Sequence, residues 1–385
     1  MTGPPADRPV SLKRLLQPFV LVVTAILALA YAYVAWRLTS HLWQRLALAV
    51  PFLLVWIVPV IYWGSDRDEE SVLNEIMHVA SYLSMAWLSF LLVLTLGRDV
   101  ALLITMWVPG LSRVHAFADE QGPAVVIAGS IGALIMGAAS ALRGPRIRSV
   151  DIPIQGLHPD LVGFRIAQIS DLHVGRTIRK RYVTRVVELT KSLQPDLIAL
   201  TGDMVDGSVD RLAQHVAPLR ELASNGSAYF VLGNHDCYSG ANAWVAHFRD
   251  LGFKVLLNSH TTFARGNARM MVGGVLDPAA RPGPKPDLAA ANAAPASMRL
   301  LLAHNPKIAP AAERAGFDLQ LSGHTHAGQF FPWTLAVRLV HAPHVAGLSR
   351  EGRMWVYVSA GTGSWGPPVR FGTSPELTLI RLVPT

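Results

Sequence analysis

Up to residue 142 the chain is written in long apolar runs, and from Arg143 onward in short ones that alternate with polar loops. Residues 15–36, 46–65, 76–97 and 121–142 contain no charged side chain over 20 to 22 positions each. A membrane span needs roughly 20 such residues, so four transmembrane helices are predicted. Buried helices of a soluble bundle would carry a polar stripe at every third or fourth position, and these runs lack one. Four in succession, the first without a small-residue cleavage site, are not a signal peptide. The uncharged piece 100–112 contains Pro109-Gly110, is too short to span, and is predicted to continue the third helix along the membrane interface.

After Arg143 the period changes. Residues 164–170, 197–200, 229–232, 298–303 and 319–321 read as strands, while 182–193 and 210–223 have the spacing of amphipathic helices. Each strand-like run delivers Asp, Asn or His into a loop. Residues 278–296, rich in Pro and Ala, read as a loop with one short helix from Asp287. The predicted organisation is a transmembrane region over 1–142 and an α/β domain over 150–385.

Composition sharpens this division. The chain is 51% hydrophobic, and the 8 Lys/Arg and 9 Asp/Glu before residue 143 leave 26 basic against 17 acidic residues after it. The basic surface therefore belongs to the second half and fits anionic partners: phosphorylated substrates or acidic lipid headgroups. No aromatic-interleaved basic motif is present, so no nucleic acid is expected as a partner. Arg8, Lys13 and Arg14 precede the first span and Arg143, Arg146 and Arg148 follow the fourth, which places both clusters in the cytoplasm by the positive-inside rule. Arg37 and Arg45, and the acidic run Asp66-Arg67-Asp68-Glu69-Glu70, fit that orientation less cleanly. Trp36, Trp43, Tyr62, Trp63 and Trp107 fall near span ends, as aromatic belts do. His78 lies just inside the third span and reads as a helix-end residue near the headgroups. Cys237 is the only cysteine, which excludes an intrachain disulfide and reads as a packed small residue.

The strand ends carry the chemistry. Asp171 and His173 would share a face if the strand before them stayed extended. Asp203 is a carboxylate able to bridge two cations, and Gly202 lets the backbone crowd it. Gly233-Asn234-His235-Asp236 offers a neutral amide oxygen for a metal beside an imidazole that faces whatever the metal holds. His304 follows the next strand, and His324-Thr325-His326 would again put two imidazoles on one side of an extended chain. Ordinary turns also use Gly, Asn and Asp, but five strand ends of this kind are hard to explain as turns. The donors exceed what one divalent ion needs, and mixed nitrogen and oxygen ligands without thiolate suit Mn, Fe, Zn or Co. Two divalent metal ions sharing Asp203 are expected, with hydrolysis of a phosphoester or phosphoanhydride as their chemistry.

Asp171-x-His173, Gly202-Asp203-x-x-Asp206, Gly233-Asn234-His235-Asp236, His304 and Gly323-His324-x-His326 resemble, in order, the five motifs of the calcineurin-like metallophosphoesterases. The flanking Ser170-Asp171-Leu172-His173, Ala327-Gly328-Gln329 and Tyr357-Val358-Ser359 are similar to a bacterial membrane-associated branch. That branch includes phosphodiesterases and hydrolases of UDP-2,3-diacylglucosamine. The resemblance implies a four-layer αββα sandwich. It further implies a first metal held by Asp171, His173, Asp203 and His326, and a second by Asp203, Asn234, His304 and His324. His235 would protonate the leaving oxygen after attack by a metal-bridging hydroxide, oriented by Asp206 or Asp236, with Asp236 preferred. Ala327 stands where the branch often has Gly, and Gly361-Thr362-Gly363-Ser364 where it often has Gly-Leu-Gly-Thr. Phe330, Phe331, Trp333 and Leu335 read as core, and Arg370 as a solvated arginine. The expected function is a membrane-bound phosphoesterase, in a bacterial-type inner membrane, acting on a phosphodiester or pyrophosphate of a lipid-linked substrate. The alternative is a catalytically idle metal-binding membrane sensor or scaffold.

Overall fold

The computed structural model describes residues 18–56, 72–278 and 285–385. The predicted features at Arg8, Lys13, Arg14, Tyr62, Trp63 and 66–70 lie outside them, as do parts of the first and second apolar runs and of the 278–296 loop. Two compact units are present: helices up to Ala139 with Gly366–Val369, and Ser140–Trp365 with Arg370–Thr385.

The first unit holds α1 (Pro18–Leu38), α2 (Leu42–Val55), α3 (Val72–Trp107), α4 (Ser112–Glu120) and α5 (Gly122–Leu142). Val34, Leu38, Leu48, Leu91 and Val126 form its apolar core. Among the described residues three helices are long and apolar enough to cross a membrane, those at Val20–Leu38, Val72–Trp107 and Gly122–Leu142, rather than four. The second predicted span is described only as far as Trp56, and α2 has 14 residues. That is about 21 Å of helix, short of the roughly 30 Å hydrocarbon layer. Helix α3 runs unbroken through Arg98 and Asp99, so 36 residues form one helix about 54 Å long. The charges are tolerated because they are paired. Arg37 donates twice to Asp99 at 2.6 Å, Tyr33 donates its hydroxyl at 2.6 Å, and Arg98 Nε donates to the Ala118 carbonyl. His78 is buried, edge-on to Tyr82 one turn along, rather than placed at a helix end.

The second unit is built on two mixed six-stranded sheets. The first has the order β1 (Arg146–Ile154), β12 (Glu376–Pro384), β2 (Arg165–Ile169), β3 (Leu197–Leu200), β4 (Ala228–Phe230), β5 (Lys254–Val255). The second runs β10 (Gly347–Glu351), β11 (Met354–Val358), β9 (Leu319–Ser322), β8 (Met298–Leu302), β7 (Ala268–Gly274), β6 (Ser259–Arg265). Strands β2 to β5 are mutually parallel, as are β7, β8, β9 and β11. Their carboxyl ends therefore gather along one edge of each sheet, where open α/β sheets place their chemistry.

Alternation along the strands explains the layers. Ile166, Leu197, Tyr229, Met270, Leu300, Leu319 and Tyr357 point into one shared core between the sheets. The opposite faces meet helices. Ile169, Leu200 and Phe230 pack on α6 (Lys180–Ser192), α7 (Val209–Val216) and α9 (Ala241–Asp250), whose Val186, Leu212 and Trp244 are buried, and the short α8 (Asn234–Tyr238) lies between α7 and α9 in the chain. Met271, Leu301 and Val356 pack on α10 (Leu288–Ala291) and α11 (Ala309–Arg314). This is the αββα order. Helix α10 starts at Asp287 as expected, the Asp287 carboxylate accepting Ala290 N–H at 3.0 Å. The predicted helix at 210–223 divides into α7 and a tighter turn over Ala217–Leu222, with Pro218 inside that turn.

Candidate metal centre

The strands stop just short of the residues that matter. β2 ends at Ile169, β3 at Leu200 and β9 at Ser322, and the backbone then turns left-handed. Asp171, His173, Asp203, His324 and His326 have φ of 52°, 51°, 54°, 74° and 49°. The expected sharing of a face by strand alternation is therefore not how these residues meet. In an extended chain Asp171 and His173 would project in parallel, whereas left-handed turns fold each donor back toward a common point. Non-glycine residues held there cost on the order of 1–3 kcal/mol each.

Hydrogen bonds between loops hold that strain. Asp171 N–H donates to Gly202 O at 2.9 Å and His173 N–H to Asp203 O at 3.0 Å. Asp236 is wholly buried, and its carboxylate accepts the backbone N–H of Asp203, Met204 and Gly233 at 2.8 Å and of Val205 at 3.2 Å. Gly202, at φ +88°, is required for the same closeness, since a Cβ there would stand 2.7 Å from His304 Nδ1 and from Gly233 N.

The seven donors named from the sequence form two groups. In the first, His173 Nε2 lies 3.0 Å from His326 Nε2, and Asp171 Oδ1 lies 3.4 Å from the latter. In the second, Asn234 Oδ1 is 3.2 Å from His304 Nε2 and 3.0 Å from His324 Nδ1. Asp203 touches both: its Oδ2 is 3.1 Å from His304 Nε2 and 3.8 Å from His173 Nε2. Asp171/His173/His326 and Asp203/His304/His324 each bring one donor atom per residue within 4.8 Å of the others. His324 and His326, two residues apart, thus serve different groups instead of one side.

His235 stands beside the first group, its ring 4.8 Å edge-on from His173. Its Nδ1 lies 2.8 Å from Asp206 Oδ1, and the same carboxylate is 3.0 Å from His173 Nδ1. The preference for Asp236 as the orienting group is therefore corrected. Asp236 is committed to four backbone donors, and Asp206 holds both imidazoles. Arg370 is also corrected, from solvated to fully buried. It donates to the carbonyls of His326, Ala360 and Gly363, and its Nη2 lies 3.0 Å from His326 Nδ1. The only sequence signal for it was a lone arginine after Pro367-Pro368. Of the residues predicted as core, Phe330 is buried and Phe331 half-buried, but Trp333 and Leu335 are exposed on α12 (Trp333–His341). His341, on that helix, presents its ring edge-on 5.3 Å from His324 and was not singled out by any motif.

Charge within the centre is sorted. Burial works against charge on His173, yet the carboxylates of Asp206, Asp203 and Asp171 raise it to about 9. His304 is likewise raised to about 10, against burial, by Asp203 and Asp171. Burial and the neighbouring His304 push His324 down to about 3, and burial with His173 and Arg370 pushes His326 well below its ordinary value. Asp206 is held below the carboxylate range, against burial, by His173 and His235. Burial lifts Asp171, and its Oδ2 is enclosed without a hydrogen-bond partner. An orphaned buried carboxylate oxygen beside the converging imidazole nitrogens of His173 and His326 is a donor set that a divalent cation satisfies. Cys237 plays no such part: half-buried against the core, its thiol is pushed up to about 12 by burial and Asp236.

Residues 164–328 match the calcineurin-like phosphoesterase family. A protein of Danio rerio named "Transmembrane protein with metallophosphoesterase domain" is 34% identical over 323 residues, covering 77% of this chain and 74% of its own. The chain belongs to the calcineurin-like metallophosphoesterases. It is a metal-dependent phosphoesterase with apolar helices ahead of the catalytic domain. The Danio rerio match is longer than residues 150–385 can supply, so it reaches into the helical unit. A Bos taurus protein of the same name is 29% identical over 368 residues, 90% of this chain and 80% of its own. Phosphodiesterase YaeI of Escherichia coli (strain K12) is 33% identical over 236 residues, 57% of this chain and 82% of its own.

Proposed function

We propose that this metallophosphoesterase is a membrane-anchored hydrolase of a phosphodiester or pyrophosphate bond in a lipid-linked substrate, with two divalent cations sharing Asp203. The observation that carries the reading is the contact of the Asp203 carboxylate with one imidazole of each donor group, His304 at 3.1 Å and His173 at 3.8 Å. Asp171, His173, Asp203 and His326 would hold one cation; Asp203, Asn234, His304 and His324 the other. Mn, Fe, Zn or Co suits these ligands. When bound, such ions supply Lewis acidity toward water and the phosphoryl oxygens.

The chain's own residues do the rest. Asp206 accepts Nδ1–H of His235 and so fixes the ring, leaving Nε2 to pass a proton to the leaving oxygen. The same carboxylate anchors His173, so one group sets both a ligand and the acid. Trp365 and Tyr238 flank His235 edge-on, each 5.7 Å away, and limit where its ring can swing. Attachment to a bacterial-type inner membrane is supported by the apolar helices, and a catalytic domain on the cytoplasmic side by the basic cluster Arg143, Arg146 and Arg148 that directly follows the last of them. The lipid-linked substrate rests on that attachment and on the basic balance of the domain.

The test uses the full chain in nanodiscs, stripped of metal and reloaded with Mn. It should cleave bis-p-nitrophenyl phosphate, and Asp203→Asn should not. Full Mn loading with no turnover on diesters, pyrophosphates or nucleotide-sugar lipids would instead favour the idle scaffold.

A further inference from the structure

Helix α12 is turned inside out for a surface in water. None of its residues is buried, and Trp333, Leu335, Leu339 and Val340 are 46%, 53%, 91% and 59% exposed. At about 100° per residue, Leu335, Leu339, Ala336, Val340 and Trp333 fall on one arc of about 160°. Thr334 and His341 lie on the other side. The ring of His341 against His324, at 5.3 Å, fixes that polar side as the one facing the metal centre. Singly exposed apolar residues are ordinary. A contiguous apolar arc on one short helix marks a surface that something covers.

We propose that α12 is an interfacial helix whose apolar arc enters the headgroup and acyl boundary of the bilayer, setting the metal centre at the lipid surface. Three observations favour lipid over a second copy of the chain. The three helices able to cross a membrane put a bilayer at hand, and only residues 143–145 separate the last of them from β1. That linker spans at most about 15 Å. The ends of the arc have interfacial chemistry: Trp333 stands at the start of the helix and Arg338 is exposed at the arc's edge. The residues after 142 carry 26 basic against 17 acidic side chains, which complements anionic headgroups. Docking extends the hydrolase reading without resting on it, because its readout is the surroundings of a label and not turnover.

The experiment labels Leu339→Cys with an NBD fluorophore in the full chain carrying Cys237→Ser, reconstituted in phosphatidylcholine/phosphatidylglycerol nanodiscs. A label at Asn267→Cys, an exposed position between β6 and β7, serves as the aqueous reference. The expected result is quenching of the residue-339 label by lipids bearing doxyl at acyl carbon 5, with iodide quenching several-fold weaker than at residue 267. Iodide quenching equal to the reference would overturn the proposal. Protection from both iodide and doxyl lipid would overturn it too, since protein would then cover the arc. Should that chain fail to fold, Val340→Cys with Cys237→Ala reads the same arc from a second position.

Discussion

In the group of Asp171, His173 and His326, both imidazoles are backed by charge: Asp206 lies 3.0 Å from His173 Nδ1, and the Arg370 guanidinium lies 3.0 Å from His326 Nδ1. In the group of Asn234, His304 and His324 the backing is neutral. His304 donates Nδ1–H to the Thr201 carbonyl at 2.9 Å, and His324 is flanked by the ring of His341. Both groups answer to Asp203, but they are prepared differently. The first is oriented by charges, the buried Arg370 and the solvent-accessible Asp206, the second by peptide geometry around Gly202 and Gly233. Substitutions that remove charge should therefore act on the first group, and those that crowd the backbone on the second.

The largest effect should come where the groups join. Asp203→Asn is expected to bring cleavage of bis-p-nitrophenyl phosphate to background and to lower bound Mn at both positions, read by elemental analysis of the purified chain. Next is His235→Ala, which leaves every proposed ligand in place. Metal content should stay at the wild-type level while kcat falls about 10²–10⁴-fold, the usual worth of a positioned acid. Wild-type turnover in that variant would remove His235 from the mechanism.

The comparison itself is tested by Asp206→Asn and Arg370→Met. Each should weaken one Mn binding step by about 10–100-fold and leave the other step unchanged in a Mn titration. Equal weakening of both steps would show that the groups do not differ in the way described. Gly202→Ala is the counterpart for the second group. A Cβ there would stand 2.7 Å from His304 Nδ1, so thermal denaturation should show a loss of about 1–3 kcal/mol, with the tighter cost falling on the His304 step.

The sequence showed which residues act better than how they meet. Each donor follows an apolar run because a strand must end before its chain can turn into solvent or a site, and that made Asp171, Asp203, Asn234, His304 and His324 visible. Their convergence was not visible, because left-handed φ at five non-glycine positions depends on bonds from other loops. The exchange of roles between Asp236 and Asp206 has the same origin. Both follow strand ends, and only the folded loop decides that Asp236 caps backbone while Asp206 reaches two rings. Arg370 lies 44 residues beyond His326, and no local pattern distinguishes an arginine that will be buried. Helix α3 passes through Arg98 and Asp99 because Arg37 and Tyr33 come from another helix to pair Asp99 and the Ala118 carbonyl accepts from Arg98, contacts that a window of hydropathy does not contain.

The central claim is that one carboxylate couples two cations. Electron paramagnetic resonance of the full chain loaded with Mn tests it most directly. A spin-coupled Mn pair in the wild type, replaced in Asp203→Asn by isolated Mn or none, is the expected result. A single uncoupled Mn per chain in the fully loaded and active wild type would contradict it.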